Sequence, residues 1–118
     1  MADADPIATN PKLYSVAFEN DRVRVLRYHD RPGERTRPHS HPDSVMITAS
    51  AFRRRLHQGD RSVDVSLPAG EVRWLDAQEH SGENIGDTET VTFFVELKDS
   101  GAPGPSAAAG GDAPLGPS

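Results

Sequence analysis

The sequence contains no cysteine. Disulfides and thiolate metal ligands are both excluded, so neither a disulfide-stapled scaffold nor a cysteine-ligated zinc module is open to it. Aromatic residues are scarce, at 6%. No apolar run approaches the roughly 20 residues that a membrane-spanning helix needs, and no basic stretch leads into an apolar core as a secretory signal would. The expectation is a soluble, cytoplasmic protein with no membrane partner. Positive charge is also short: 13 Lys and Arg against 18 Asp and Glu give a net charge of −5, which argues against a nucleic-acid partner. The one basic cluster, Arg53-Arg54-Arg55, reads as a solvated or salt-bridged surface, because consecutive strand residues alternate faces. Helical periodicity is missing as well. Nowhere do apolar residues recur at i, i+3, i+4 and i+7 over a useful length.

What is present is a pattern of short strands. The runs LYSVAF (13–18), VRVLRYH (23–29), SVMITAS (44–50), FRRRLH (52–57), SVDVSL (62–67), VRWLDA (72–77) and TVTFFVELK (90–98) are rich in β-branched and aromatic residues. Turn signals such as ENDR, DRPGER, QGDR and PAGE separate them. About eight strands at short, regular spacing define an all-β fold, a sandwich or a closed antiparallel barrel. A chain of 118 residues supports one such domain. Its ends read differently: residues 1–11 form a flexible N-terminal segment, and residues 99–118 are almost wholly Gly, Pro, Ala and Ser. Such a composition buries too little apolar surface to offset its ordering entropy. The folded domain is therefore placed at 12–98.

Two of the five histidines, His39 and His41, are separated by one serine. In an extended strand both imidazoles point to one face. His80 follows about forty residues later, and inward-facing residues from different strands of a small barrel converge on its axis. The three could hold a divalent metal, with positions left for water or substrate. Alternatively, they are polar residues satisfied by neighbouring hydrogen bonds. His29 and His57, at a strand end and beside a turn, are assigned to the surface.

The arrangement resembles the first and second motifs of the cupin superfamily of small β-barrels. Gly33 is followed by five residues and then His39-Ser40-His41, as in the opening half of the first motif. His80, three residues, and Asn84, followed by Gly86-Asp87, resemble the close of the second. The likeness covers residues 13–98 and implies a jelly-roll barrel. Three features depart from it, the first being that the second motif's usual Pro-x-Gly falls at Leu75-Asp76-Ala77, with PAG (68–70) displaced upstream. The motif's glutamate, often a metal ligand, falls at Val45 or Met46, and neither side chain replaces a carboxylate. The closing glycine falls near Phe52 or Arg53 and is missing. Asp43 keeps the parity of His39 and His41 and is a candidate fourth ligand, unless Pro42 breaks that parity and leaves it a turn residue.

By position, Trp74 and Gln78 are candidate pocket residues, no catalytic residue is named, and Tyr28 and Phe94 would line or fill the cavity. Glu79 and Arg73 are expected to face outward, and Asn84 to satisfy nearby backbone groups. Likeness to three-histidine cupins implies Fe(II) and a dioxygenase-like oxidoreductase acting on a small organic substrate. The alternatives are a Zn(II) or Ni(II) Lewis-acid isomerase or lyase and a non-catalytic small-molecule-binding barrel. Small cupins are also similar in often pairing as homodimers. A limited core and an exposed, β-prone first strand give the same expectation, with Tyr14, Val16 and Phe18 at the interface or edge.

Overall fold

The computed structural model describes residues 5–98. The expected tail at 99–118, and residues 1–4, lie outside the described residues. Nine strands and one helical turn follow in chain order: α1 (Pro6–Thr9), β1 (Tyr14–Glu19), β2 (Val23–Asp30), β3 (His39–His41), β4 (Ser44–Thr48), β5 (Phe52–Gln58), β6 (Arg61–Leu67), β7 (Val72–Leu75), β8 (Gln78–Asn84) and β9 (Thr90–Leu97). All pairings are antiparallel. They build a five-stranded sheet in the order β1-β2-β9-β4-β7 and a four-stranded sheet in the order β3-β8-β5-β6. The two sheets enclose the core of a jelly roll. Gly59 and Gly70 carry the turns before β6 and β7 at φ of 64° and 84°, a backbone region that disfavours a Cβ.

Alternation decides what faces inward. The core cluster is Tyr14, Leu26, Tyr28, Met46, Phe52, Leu67, Leu75 and Phe94. These residues come from β1, β2, β4, β5, β6, β7 and β9; β3 and β8 contribute none. The buried residues of that strand pair are instead His39, His41, Gly82 and Asn84. The interior therefore has an apolar body and one polar wall.

Two expectations need correction. The flexible segment does not extend to residue 11. Asp5 caps α1 by accepting the Ile7 N–H at 3.0 Å, the cap position that Asp favours, and it pairs with Arg24 at 2.5 Å. Asn10 then accepts the Arg37 N–H at 2.7 Å. These partners are contributed by the barrel, so composition alone could not reveal that residues 5–11 are held.

Arg54 is not a surface residue. Alternation along β5 turns it inward, where its Nη1 donates to Asp30 at 2.7 Å and to Thr90 at 3.1 Å, and its Nη2 to the Tyr28 hydroxyl at 3.2 Å. Tyr28 donates in turn to Asp30, and Asn84 donates to the other Asp30 oxygen at 3.1 Å. Arg53 and Arg55 face outward, as expected of the alternation, and Arg55 pairs with Asp64. Tyr14, expected at an interface or edge, lies on the edge strand β1 but turns inward and is 5% exposed. Val16 and Phe18, on the same strand, are exposed at 46% and 54%.

Removing one member of a buried ion pair leaves the other unpaired, which typically costs about 3–5 kcal/mol. Arg54→Met is therefore expected to lower the unfolding free energy by roughly that amount in urea, and adding Asp30→Asn to recover part of it. A loss below about 1 kcal/mol would show that Asp30 does not depend on Arg54.

Candidate metal centre

His39 and His80 are direct partners in the β3–β8 ladder, and His41 stands opposite Gln78. Partners in an antiparallel ladder point to one face, and the two-residue spacing adds His41 to it. The outcome is a cluster in which one ligand-capable atom from each of His39, His41 and His80 lies within 4.8 Å of the others. Ring centroids are 4.8 to 5.2 Å apart, and the rings meet edge to face. His39 and His41 are buried and His80 is half-buried.

The far side of each buried ring is fixed. His39 Nδ1 lies 2.7 Å from the carbonyl of Arg37, and a carbonyl only accepts, so that nitrogen carries the proton. His41 Nδ1 lies 3.0 Å from a carboxylate oxygen of Glu96, which assigns its proton in the same way. In the neutral form of each ring, Nε2 is thereby the acceptor. A metal-ligating histidine needs this neutral tautomer, oriented by a hydrogen bond on its other nitrogen. Glu96 is 2% exposed and is held by Arg24 through Nε at 3.1 Å and Nη2 at 2.9 Å. Asp5, Arg24, Glu96 and His41 thus form one chain from the N-terminal turn to the cluster.

The hydroxyl of Tyr14 completes the group, 3.1 Å from His39 Nε2 and 3.4 Å from His41 Nε2. Burial, reinforced by the neighbouring Tyr28, pushes its phenol well above its ordinary value. Beside the cluster is a cavity of about 40 Å³, enough for about one water molecule or a comparably small guest. Its lining includes Tyr14, His39, His80, Arg54, Thr92 and Phe94. The Thr92 hydroxyl is buried and has no hydrogen-bond partner among the described residues.

The residues present fit a divalent ion. Three imidazoles, once neutral, suit Zn, Cu, Fe or Ni, and a hydrogen bond on Nδ1 orients two of the three. Other candidates fall outside. Pro42 and Asp43 carry the chain from β3 in one sheet to β4 in the other, so Asp43 is exposed and its carboxylate accepts the Ala77 N–H at 2.9 Å. It is a turn residue and lies outside the three-histidine group. Trp74 is 37% exposed on the outer face and donates to Asp76. Gln78 is half-buried, donates to the Asp76 carbonyl and does not line the cavity. Tyr28 and Phe94 do line it. Arg73, expected to face outward, is instead the ladder partner of buried Met46 and lies on the inward-facing side of β7, half-exposed and paired with Glu71. Asn84 bonds the Thr88 carbonyl and the Gly86 N–H. His29 and His57 pair with Glu89 and Glu83, apart from the cluster. Sequence reasoning missed Tyr14 as a neighbour of the histidines, and missed Glu96, Asn10 and Arg24 altogether. One signal was available for Glu96: it is the only acidic residue in a strand otherwise built from apolar residues and threonine.

Fold and site together define a double-stranded β-helix whose interior wall carries three clustered histidines that could hold a metal ion. No protein-family model matches the sequence, and no curated protein matches it. Solved structures do. A cupin domain from Bordetella pertussis is 29% identical, over 74% of this chain and 93% of that one, with a TM-score of 0.69. A conserved double-stranded β-helix protein from Klebsiella pneumoniae is 24% identical, over 76% and 79% of the two chains, at a TM-score of 0.61. An RmlC-like cupin from Methanocaldococcus jannaschii is 14% identical, over 72% and 78%, at 0.59. The chain shares the double-stranded β-helix fold of these cupin and RmlC-like proteins.

Burial, with the adjacent His41 adding to it, pushes His39 down to about 4, whereas an unfolded histidine protonates near about 6.5. The unfolded chain therefore takes up this proton first as pH falls. The contribution is complete above about pH 6.5, declines between about 6.5 and 4, and changes no further below that. Metal-free protein is expected to lose up to roughly 3 kcal/mol across that window through His39, read as a falling thermal midpoint. His39→Gln should flatten the profile; an unchanged slope in that variant would remove His39 as its source.

Proposed function

We propose that the protein binds one divalent metal ion through His39, His41 and His80 and acts with it on a small organic molecule. The observation that carries this is the pair of fixed tautomers: Arg37 and Glu96 each hold an Nδ1 proton and leave an Nε2 lone pair for the cluster. The Tyr14 hydroxyl beside both Nε2 atoms has one proton and can cap only one of the two lone pairs. An iron(II) ion would supply open positions for substrate and dioxygen, which makes a dioxygenase-like oxidoreductase the favoured reading; zinc or nickel would supply Lewis acidity for an isomerase or lyase. The chain's own residues set the rest. Met46, Phe52 and Phe94 keep the cavity largely apolar, while Arg54 and the Thr92 hydroxyl are its candidate orienting groups. At about 40 Å³ the chamber favours a guest of few atoms over one needing the several hundred Å³ of a typical ligand pocket. A non-catalytic binding barrel is the alternative.

Elemental analysis of protein purified without a His tag is expected to give about one ion per chain. His39→Ala, His41→Ala and His80→Ala should each weaken binding sharply, and His29→Ala and His57→Ala should not. Equal losses from all five, or no stoichiometric metal in the wild type, would overturn the assignment. Substrate-dependent oxygen uptake by the iron form separates the oxidoreductase from the other two readings.

A homodimer is the proposed assembly. On the outer face of the five-stranded sheet, Phe18, Val25, Val95, Val45 and Trp74 form one row of ladder partners, and Phe93, Ile47 and Val72 form a second. Phe18, Ile47, Val72 and Trp74 are exposed, and the others are half-buried. Five strands at about 4.8 Å spacing make this face roughly 20–25 Å wide, enough for the apolar centre of an interface of about 800 Å² per partner. The longer row has an aromatic residue at each end and valines between them, so a two-fold axis near Val95 sets the row against itself. Sedimentation at micromolar concentration is expected to report twice 12.8 kDa for the wild type and a shift toward monomer for Val72→Glu. A monomeric wild type would overturn the assembly.

A further inference from the structure

We propose that the Tyr14 hydroxyl is the fourth protein donor of the metal centre, in the role left open by the acid that the first cupin motif lacks here. The inference rests on the three-histidine reading above and adds to it a ligand from a different strand. The position where the acid would fall is closed to ligation. Val45 belongs to the outer row, and Met46 is 1% exposed within the core and places a thioether, not a carboxylate, beside the cavity. Asp43 is turned away to Ala77. Among the described residues, no carboxylate joins the three histidines in a ligand-capable group.

Tyr14 reaches the cluster from β1, across the barrel interior. Its ring packs against His39 and His41 at centroid distances of 5.4 and 5.9 Å and against Tyr28 at 4.8 Å. The ring is held on several sides, and its oxygen is directed at both Nε2 atoms. The separations of 3.1 and 3.4 Å are informative in themselves. Donors bonded to one ion at about 2.0–2.1 Å stand roughly 3.0 Å apart at octahedral corners and about 3.4 Å apart at tetrahedral ones. The oxygen already lies at a ligand-to-ligand edge length from two histidines. A hydroxyl present only to cap a lone pair needs one such distance, since it has one proton to donate.

The test uses the full chain loaded with iron(III), whose charge would offset the burial of the phenol and release its proton to solvent on binding, and which reports the resulting phenolate by a visible charge-transfer band. The wild type is expected to bind about one iron per chain and to be coloured. Tyr14→Phe, which keeps the packed ring, should bind without the band and with zinc affinity lowered roughly tenfold or more, one lost ligand being worth at least about 1.4 kcal/mol. A wild type that holds stoichiometric iron but shows no band overturns the tyrosine donor alone. Unchanged or tighter zinc binding by Tyr14→Phe does the same, since it is the behaviour of a capping hydroxyl. Failure of the wild type to bind metal overturns the three-histidine reading, and this proposal with it.

Discussion

The carboxylate of Glu96 lies inside the barrel between Arg24 and His41, and most of the site follows from that placement. A carboxylate taken out of water costs several kcal/mol unless charge and hydrogen bonds return what hydration gave. Arg24 supplies two N–H donors and the charge, and His41 Nδ1 supplies a third donor. The last of these settles which nitrogen of His41 can act as a ligand. Arg24 is steadied in turn by Asp5, which caps the first helical turn. That turn leads into Asn10, whose side chain bonds the backbone of Arg37, the residue whose carbonyl fixes His39. Both buried imidazoles are thus oriented by partners that the N-terminal turn helps to hold.

A small barrel has little interior, and this one gives a large share of it to polar groups. The strand pair β3–β8 adds nothing to the apolar cluster, and Arg54, Asp30 and Asn84 occupy part of the space that aliphatic side chains would otherwise fill. Each buried polar group raises the cost of a missing partner. Specific geometry is obtained at the expense of a larger apolar core, and the 6% aromatic content is concentrated where it does most: both tyrosines, Phe52 and Phe94 are core residues.

Much of this was legible in the sequence, and the parts that were not share a cause. Strands with alternating β-branched residues, such as β6 and β9, announce themselves through local pattern. So does the convergence of His39, His41 and His80, because parity along a strand is a local property. Strand β8 reads QEHSGEN and carries no such pattern; it is a strand because β3 and β5 supply its ladder partners on either side. The inward turn of Arg54, the capture of residues 5–11 and the approach of Tyr14 to two imidazoles are likewise decided by partners distant in the chain. Asp43 marks where local parity stops: Pro42 and Asp43 carry the chain between the two sheets, and the alternative reading of Asp43 as a turn residue is the one its bond to the Ala77 N–H supports.

Strand β9 is central in its sheet and has two unlike faces. Thr92, Phe94 and Glu96 turn inward to the cavity, the core and His41, while Phe93, Val95 and Leu97 turn to the outer surface. A single-residue insertion or deletion early in this strand would exchange the two sets at once. An insertion would bring Val95, and a deletion Leu97, to the place of the carboxylate, and either would put Glu96 on the apolar face. Point substitutions can alter the imidazole support and the outer surface separately, whereas a shift of frame along β9 destroys both. In lineages carrying this arrangement, β9 should tolerate changes of residue far better than changes of length.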